Sequence, residues 1–145
     1  MLDRARIGPA DSVLDVGTGE SVLALGALDR LGADGAVIAV DASVDALDEL
    51  RAACPDPRLS FLVGDAEVVP LPDASVDVVL GRSVLGAVRD KGAAALELYR
   101  VLGPGGRISL LEPVDAADAE AWLAGAGFAA IDTDPGPGLV SGEKP

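Results

Sequence analysis

The chain has 145 residues, 50% of them apolar and only 3% aromatic, enough for one domain whose core is built from Ala, Val and Leu. Its net charge of −13 argues against binding to nucleic acid or to an anionic membrane surface, because both depend on clustered Lys and Arg. One cysteine and no histidine exclude an internal disulfide and a Cys-based metal cluster and remove the commonest metal ligand, so we expect no metal.

The N-terminal residues MLDRARIGPAD lack the apolar segment of a signal peptide. No apolar run in the sequence approaches the ~20 residues of a membrane-spanning helix. We therefore expect a cytoplasmic protein.

Short apolar runs alternate along the chain with stretches of helical spacing. The runs bounded by turn residues predict buried parallel strands and one strand in the tail, at Ser12–Gly17, Ala36–Asp41, Leu59–Asp65, Ser75–Gly81, Arg107–Pro113 and Ala129–Asp134. The predicted helices are Ser21–Gly32, Ser43–Ala53, Asp90–Leu102 and Ala117–Phe128. This alternation predicts an α/β fold with a doubly wound, mostly parallel sheet in a single domain, residues 1–145.

The same patterns predict which side chains are buried and where elements are capped. We expect these side chains to pack against the sheet: Val22, Leu25, Leu28, Leu31, Leu47, Leu50, Tyr99, Trp122 and Leu123. Ser43 is the expected N-cap of the second helix. The glycine-rich stretch at residues 103–106 is expected to be a tight turn between a helix and the fifth strand rather than a ligand cradle.

The stretch VLDVGTGES, Val13–Ser21, breaks an apolar run at an acid and continues into a glycine turn. Ligands of doubly wound sheets bind beyond the carboxyl ends of the strands, and glycine lets the backbone approach them closely. Asp41 ends the second strand, where an acid commonly accepts both ribose hydroxyls. Glu112 ends the fifth strand and faces either a substrate or solvent.

The glycine turn departs from the two common phosphate-binding patterns. A dinucleotide fingerprint needs a third glycine where Val22 stands, and a P-loop needs a lysine that is absent. A nucleoside without phosphates is therefore favoured over a pyrophosphate ligand.

A resemblance to a known family rests on four stretches, VLDVGTGES, AVIAVDAS, FLVGDAEVVPLPDASVDVVLGRSVL and LYRVLGPGGRISLLEP, which span residues 8–113 with their flanks. In this order they resemble the successive motifs of S-adenosylmethionine-dependent methyltransferases with the Rossmann-like fold. The small-molecule branch that includes the ubiquinone and menaquinone C-methyltransferases is the most similar. The resemblance implies S-adenosylmethionine as cofactor, S-adenosylhomocysteine as product, and methyl transfer to a small-molecule acceptor by in-line displacement.

The resemblance also implies which residues contact the methionine part of the cofactor. Asp15, Gly17, Thr18 and Gly19 would line it, and Arg82 would offer its backbone carbonyl to the ammonium group. A second interpretation of Asp15 stays open beside this one, in which it only caps or braces the loop.

Four further positions match the family's contacts with the nucleoside. Asp41 would hold the ribose hydroxyls, with Ala42 beside the adenine. Asp65 would hydrogen-bond the adenine amino group, with the backbone amide of Ala66 at the ring. Two structural alternatives stay open: Asp41 complements the dipole of the following helix, and Asp65 is an ordinary strand-end acid.

Several features depart from the family pattern. Ser21 stands where the third loop glycine is usual and is a candidate N-cap, and Glu20 places a negative charge near the cofactor's carboxylate. The segments that usually cover the substrate are short, so the pocket is expected to be open or completed by another chain, as in a homodimer. The N-terminal and C-terminal elements are expected to be reduced, leaving an incompletely paired sheet edge.

Two alternatives to a methyltransferase stay open. One is a non-catalytic protein that binds S-adenosylmethionine or S-adenosylhomocysteine in a regulatory or scaffolding role. The other is a different nucleoside-binding enzyme, such as a nicotinamide dehydrogenase, which Val22 disfavours. No residue is identified as catalytic, because no histidine is present and no carboxylate or tyrosine stands at a clear motif position for a base.

Overall fold

The structure is a computed structural model that describes residues 1–20, 22–134, 136 and 138–145. Its strands are β1 Ser12–Val16, β2 Ala36–Asp41, β3 Leu59–Val63, β4 Val76–Arg82, β5 Leu102–Leu111, β6 Ala129–Asp134 and β7 Leu139–Glu143. They form one sheet in the order β3-β2-β1-β4-β5-β7-β6. The first five strands pair in parallel, and β7 is antiparallel to both β5 and β6. The predicted α/β architecture with a mostly parallel sheet is confirmed.

The helices are α1 Val22–Leu28, α2 Val44–Ala53, α3 Val84–Ala87, α4 Lys91–Val101 and α5 Ala116–Ala126. Two hydrophobic clusters cover the two faces of the sheet, one containing the buried side chains of α1 and α2 and the other those of α4 and α5. Successive strand residues point to opposite faces, so Val13 belongs to the first cluster and Leu14 to the second. In the part of the chain that the structure describes, no helix is long and apolar enough to cross a membrane.

The second helix forms as its sequence predicts. Ser43 is the N-cap, and its hydroxyl accepts a hydrogen bond from the amide of Ala46 at 3.2 Å. Leu47 and Leu50 are buried against the sheet. Among the other side chains expected in the core, Tyr99 and Trp122 pack against it while remaining partly exposed.

The prediction for α1 is partly wrong. Its buried side chains are Ala24, Ala27 and Leu28, whereas Val22 and Leu25 are exposed. The helix ends at Leu28 rather than at Gly32, although turn-type backbone hydrogen bonds continue to Leu31. Beyond its end the Arg58 guanidinium donates to the carbonyls of Leu28, Leu31 and Gly32, acceptors that a helix C-terminus leaves open. Ser21, the candidate N-cap, lies outside the described residues.

The fifth strand begins earlier than predicted. Residues 103–106 are part of β5 rather than a tight turn. The amide of Gly105 donates to the carbonyl of Lys144 and the amide of Lys144 donates to the carbonyl of Gly106, so this stretch pairs with the end of the chain. The Lys144 ammonium also donates to the carbonyls of Tyr99 and Leu102, which satisfies acceptors at the end of α4.

The expected reduction of the C-terminal part of the sheet is wrong. The predicted strand Ala129–Asp134 forms as β6, and β7 inserts between it and β5. All five residues of β7 pair with β5, from Leu139 opposite Leu111 to Glu143 opposite Arg107. The one short strand for which the sequence has room is therefore sufficient to complete an antiparallel hairpin.

Candidate cofactor-binding site

The order of the strands reverses between β1 and β4. From β1 the chain adds β2 and β3 on one side, and β4 and β5 on the other. Val16 at the end of β1 pairs with Gly81 near the end of β4, so Gly17 and Arg82 leave the sheet side by side. A crevice at such a switch point is where doubly wound sheets bind ligands.

The loop after β1 is held against the end of β2. The amide of Gly17 donates to the carbonyl of Val40 at 2.8 Å, and the amide of Gly19 donates to the carboxylate of Asp41 at 3.0 Å. Gly17 and Gly19 have φ angles of +67° and +43°, which side chains rarely allow. The two glycines therefore set the path of this loop.

Asp15 lies beneath the loop. Its side chain is fully buried, the hydroxyl of Thr18 donates to its Oδ2 at 2.8 Å, and its Oδ1 has no hydrogen-bond partner among the described residues. Burial raises the pKa of Asp15 from 3.8 to about 7, against the hydrogen bond from Thr18, which lowers it. Asp15 therefore braces the loop from below.

Two neighbouring cavities open at the switch point, with volumes of ≈ 300 Å³ and ≈ 490 Å³. They share Gly17, Arg82 and Ser83 in their walls. Of the predicted site residues, Thr18 and Gly19 also line the smaller cavity, and the larger one is lined by Asp41, Ala42, Asp65 and Ala66. Asp15 is the predicted residue that lines neither.

Comparison with known proteins assigns the chain to a family. A family model described as a methyltransferase domain matches residues 14–110. The chain belongs to the S-adenosylmethionine-dependent methyltransferases. S-adenosylmethionine is the cofactor of this family.

Two curated relatives cover most of this chain. It is 32% identical to the arsenite methyltransferase of Halobacterium salinarum over 78% of its length, and covers 30% of that protein. It is 36% identical to the ubiquinone/menaquinone biosynthesis C-methyltransferase of Xanthomonas oryzae pv. oryzae over 74% of its length, and covers 44% of that protein. The chain thus spans less than half the length of each relative.

A solved structure agrees on the fold. The S-adenosylmethionine-dependent methyltransferase of Aquifex aeolicus superposes with a TM-score of 0.85 at 19% identity, over 98% of this chain and 85% of the other. At this identity the similarity establishes the Rossmann-like methyltransferase fold and nothing finer.

In this member of the family both strand-end acids already accept backbone hydrogen bonds. Besides the amide of Gly19, the Asp41 carboxylate accepts the amide of Ser43 at 2.8 Å. Asp65 Oδ1 accepts the amides of Glu67 and Val68 at 2.8 and 3.0 Å. A carboxylate has about four acceptor sites, so each retains capacity for a ligand hydroxyl or amine.

The charges at the mouth of the smaller cavity are of both signs. The side chain of Glu20 is 87% exposed and lies 3.8 Å from the guanidinium of Arg82. The negative charge that the sequence places next to this loop therefore points to solvent and is partly offset by Arg82. Among the described residues, no group of three or more His, Cys, Asp or Glu side chains is arranged to hold a metal ion.

The sequence did not indicate the remaining wall of the site. Ser83, Val84 and Ala87 line the larger cavity together with Val88 and Arg89. This segment contains α3, a helix of four residues with no side-chain cap of its own, which leaves no periodic pattern to detect.

Glu112 was expected to face either a substrate or solvent, and both expectations are wrong. It is 1% exposed, and its carboxylate accepts the amides of Val84, Leu85 and Gly86. Burial raises the pKa of Glu112, and these backbone hydrogen bonds oppose the shift. The start of α3 is thus fixed by an acid that lies 26 to 28 positions further along the chain, and not by a residue next to the helix.

Proposed function

We propose that this domain binds S-adenosylmethionine across the two cavities and transfers its methyl group to a small-molecule acceptor. The proposal is carried by one observation, which is that the glycine loop, two strand-end acids and the end of β4 converge on the same crevice. When bound, the cofactor would supply an electrophilic methyl group for in-line attack by the acceptor's electron pair, with a neutral thioether as the leaving group.

Each of the two cavities would hold a different part of the cofactor. In this proposal Thr18, Gly19 and the carbonyl of Arg82 hold the methionine part in the smaller cavity. The larger cavity holds the nucleoside, with Asp41 accepting the ribose hydroxyls and Asp65 accepting from the adenine amine. Asp15 acts through Thr18 and the loop above it, because it lines neither cavity.

The nature of the acceptor is supported by the relatives. Arsenite and the quinone precursors implied by the names of the two relatives are small molecules. A sulfonium is a built-in leaving group, so alignment of the acceptor with the methyl carbon would supply most of the rate enhancement. We therefore assign no catalytic base.

The first test of cofactor binding is titration calorimetry with S-adenosylhomocysteine. Asp41→Ala removes the proposed ribose acceptor and the anchor of the Gly19 amide, so we expect the affinity to fall by about tenfold or more. Asp48→Ala is the matched control, because Asp48 is an exposed acid on α2 that pairs with Arg51. Equal affinity of wild type and Asp41→Ala would contradict the proposed ribose contact.

Turnover separates the enzyme from the non-catalytic alternative. We expect radiolabelled methyl transfer from S-adenosylmethionine to at least one member of a panel that contains arsenite and demethylated quinols. Tight binding of S-adenosylhomocysteine without transfer to any acceptor would favour the regulatory or scaffolding alternative.

A second copy of the chain is proposed as a cover for the acceptor. Val22 is 60% exposed where it lines the smaller cavity, and Leu25 is exposed on the same helix. Sedimentation velocity with S-adenosylhomocysteine should then detect a dimer that Val22→Asp disrupts. A monomer under all conditions would contradict this proposal.

A further inference from the structure

Four successive amides after β4 converge on the end of β5. The amide of Ser83 donates to the carbonyl of Leu111 at 2.8 Å. The next three amides donate to the side chain that follows, with Val84 at 2.8 Å and Leu85 at 3.1 Å from Glu112 Oε1, and Gly86 at 3.2 Å from Oε2. Leu111, the last residue of β5, and Glu112, which follows it, therefore hold the whole start of α3.

This arrangement is an internal anion site. Ser83 has φ 56° and ψ 32°, in the left-handed region, and is followed directly by helical residues. Such a sequence of conformations turns successive amides into one concavity that favours an anion. Glu112 fills the concavity from inside the fold, and no cationic side chain of the described residues pairs with its carboxylate.

The start of the segment so held belongs to the wall that the two cavities share. Ser83 and Arg82 line both cavities, and Val84 lines the larger one. The backbone at Ser83 is in a conformation that costs energy for a residue with a side chain, so it persists only where its surroundings enforce it. The hydrogen bonds to Leu111 and Glu112 are the constraint that the structure provides.

The far end of the segment is held in the same way. Glu67, in the loop after β3, accepts the amides of Arg89 and Asp90 at 3.4 and 3.1 Å. Carboxylates from two different loops thus fix both ends of the stretch between β4 and α4. Glu112 is the buried one of the two and carries more of the bonds.

We propose that Glu112 is a positioning residue for the cofactor: by filling the amide concavity of Val84, Leu85 and Gly86, it sets the place of the Arg82 carbonyl and of Ser83. This inference rests on the proposed function, because it assumes that the cofactor lies against this wall. Glu112 itself lines neither cavity, so its influence on affinity is exerted through the backbone that it holds.

Glu112→Gln is the decisive variant, because it keeps the shape of the side chain but removes the charge and places an NH2 group against at least one amide. We expect titration calorimetry to show affinity for S-adenosylhomocysteine reduced by about tenfold. In ¹⁵N–¹H spectra of the free protein, the amide protons of Val84, Leu85 and Gly86 should move upfield as they lose a charged acceptor. A purely stabilising role would change unfolding alone.

Asp115→Ala is the matched control for stability. Asp115 caps α5 by accepting the amide of Ala117 at 2.8 Å and lines neither cavity. Its removal should lower the thermal midpoint while leaving the affinity for S-adenosylhomocysteine and the shifts of residues 83–86 unchanged. If Glu112→Gln does not fold, Glu112→Asp is measured in its place, since it keeps the charge and withdraws it by one methylene.

The outcomes distinguish this inference from the proposed function. Wild-type binding together with equally tight binding by the Glu112 variant would overturn the positioning role and leave the proposed function standing. Failure of the wild type to bind S-adenosylhomocysteine would overturn both. Weaker binding by the Glu112 variant, with shifted amides and an unaffected Asp115→Ala control, would support the role of Glu112.

Discussion

The carboxyl group of Asp15 has one oxygen bonded to Thr18 and a second without a partner among the described residues. Its folded-state pKa of about 7 lies above the ordinary 3.8 because burial disfavours the charged form. Between pH 3.8 and about pH 7 the folded chain therefore keeps the Asp15 proton, whereas the unfolded chain releases it. The associated stability is fully present below the ordinary pKa and is lost as the pH rises through about 7.

Asp15→Asn should remove this pH dependence. Asn keeps an oxygen that can accept from Thr18 but cannot ionise, so the variant should gain stability relative to wild type between about pH 5 and pH 8. The relative gain is on the order of a few kcal/mol. Urea unfolding of both proteins across this range measures it, with the exposed Asp48→Asn as control. Parallel curves for wild type and Asp15→Asn would show that Asp15 does not titrate there.

Single residues differ in how far the sequence reveals their place in the site. Asp41 and Asp65 were predictable because each follows an apolar run, and strand ends of a parallel sheet meet at one edge. The burial of Asp15 was not predictable, since the same sequence is compatible with an acid that points to the ligand and with one that points into the fold. The role of Glu112 was not predictable because its hydrogen-bond partners lie in a distant segment.

At the scale of elements, the hairpin of β6 and β7 depends on Gly138. This residue has φ +72°, and a Cβ atom there would lie 1.9 Å from the backbone oxygen of Glu112. Gly138→Ala should therefore destabilise the protein by more than about 2 kcal/mol. Gly125→Ala is the control, because nothing lies within 4 Å of its Cβ position in α5 and the change should stabilise by ~0.5–1 kcal/mol. Thermal unfolding of both variants tests the pair, and an unaffected Gly138→Ala would contradict this account of the hairpin.

Elements with local signals formed where the sequence predicts them. β2 has the predicted bounds, and α2 starts after its Ser43 cap because the signal lies within the helix itself. α3 and the start of β5 were missed because they are defined by residues far away, Glu112 for the helix and Lys144 for the strand. Pairing between distant segments determines the bounds of α3 and β5, so a local sequence pattern does not predict them.

At the scale of the whole molecule, the few cations of this acidic chain join segments together. Arg100 donates to the carbonyls of Val69 and Leu71 and pairs with Glu97 and Asp73, so it fastens the loop between β3 and β4 to α4. Arg58 donates to the carbonyl of Leu31, just after α1, and Lys144 donates to the carbonyl of Tyr99 near the end of α4. The net charge of −13 is therefore compatible with a compact fold, since individual cations serve several acceptors each.

Arg100→Ala should be more destabilising than removal of an exposed ion pair. It removes the guanidinium donor from the carbonyls of Val69 and Leu71, of which Val69 keeps the amide of Leu71. It also places Glu97 near Asp73 without the intervening cation, for an expected loss of ~2–3 kcal/mol. Asp48→Ala removes an exposed pair with Arg51 and should cost less than about 1 kcal/mol. Urea unfolding compares the two, and similar losses would argue against a joining role for Arg100.

The position of β7 between β5 and β6 has a consequence for the order of folding. β6 comes first along the chain, but its partner in the sheet is β7, so it reaches the parallel strands only through β7. The hairpin must then join the parallel sheet as one unit, after long-range pairing whose loop-closure cost slows folding. We expect the amides of β6 and β7 to become protected from hydrogen exchange together, and later than those of β1 and β2.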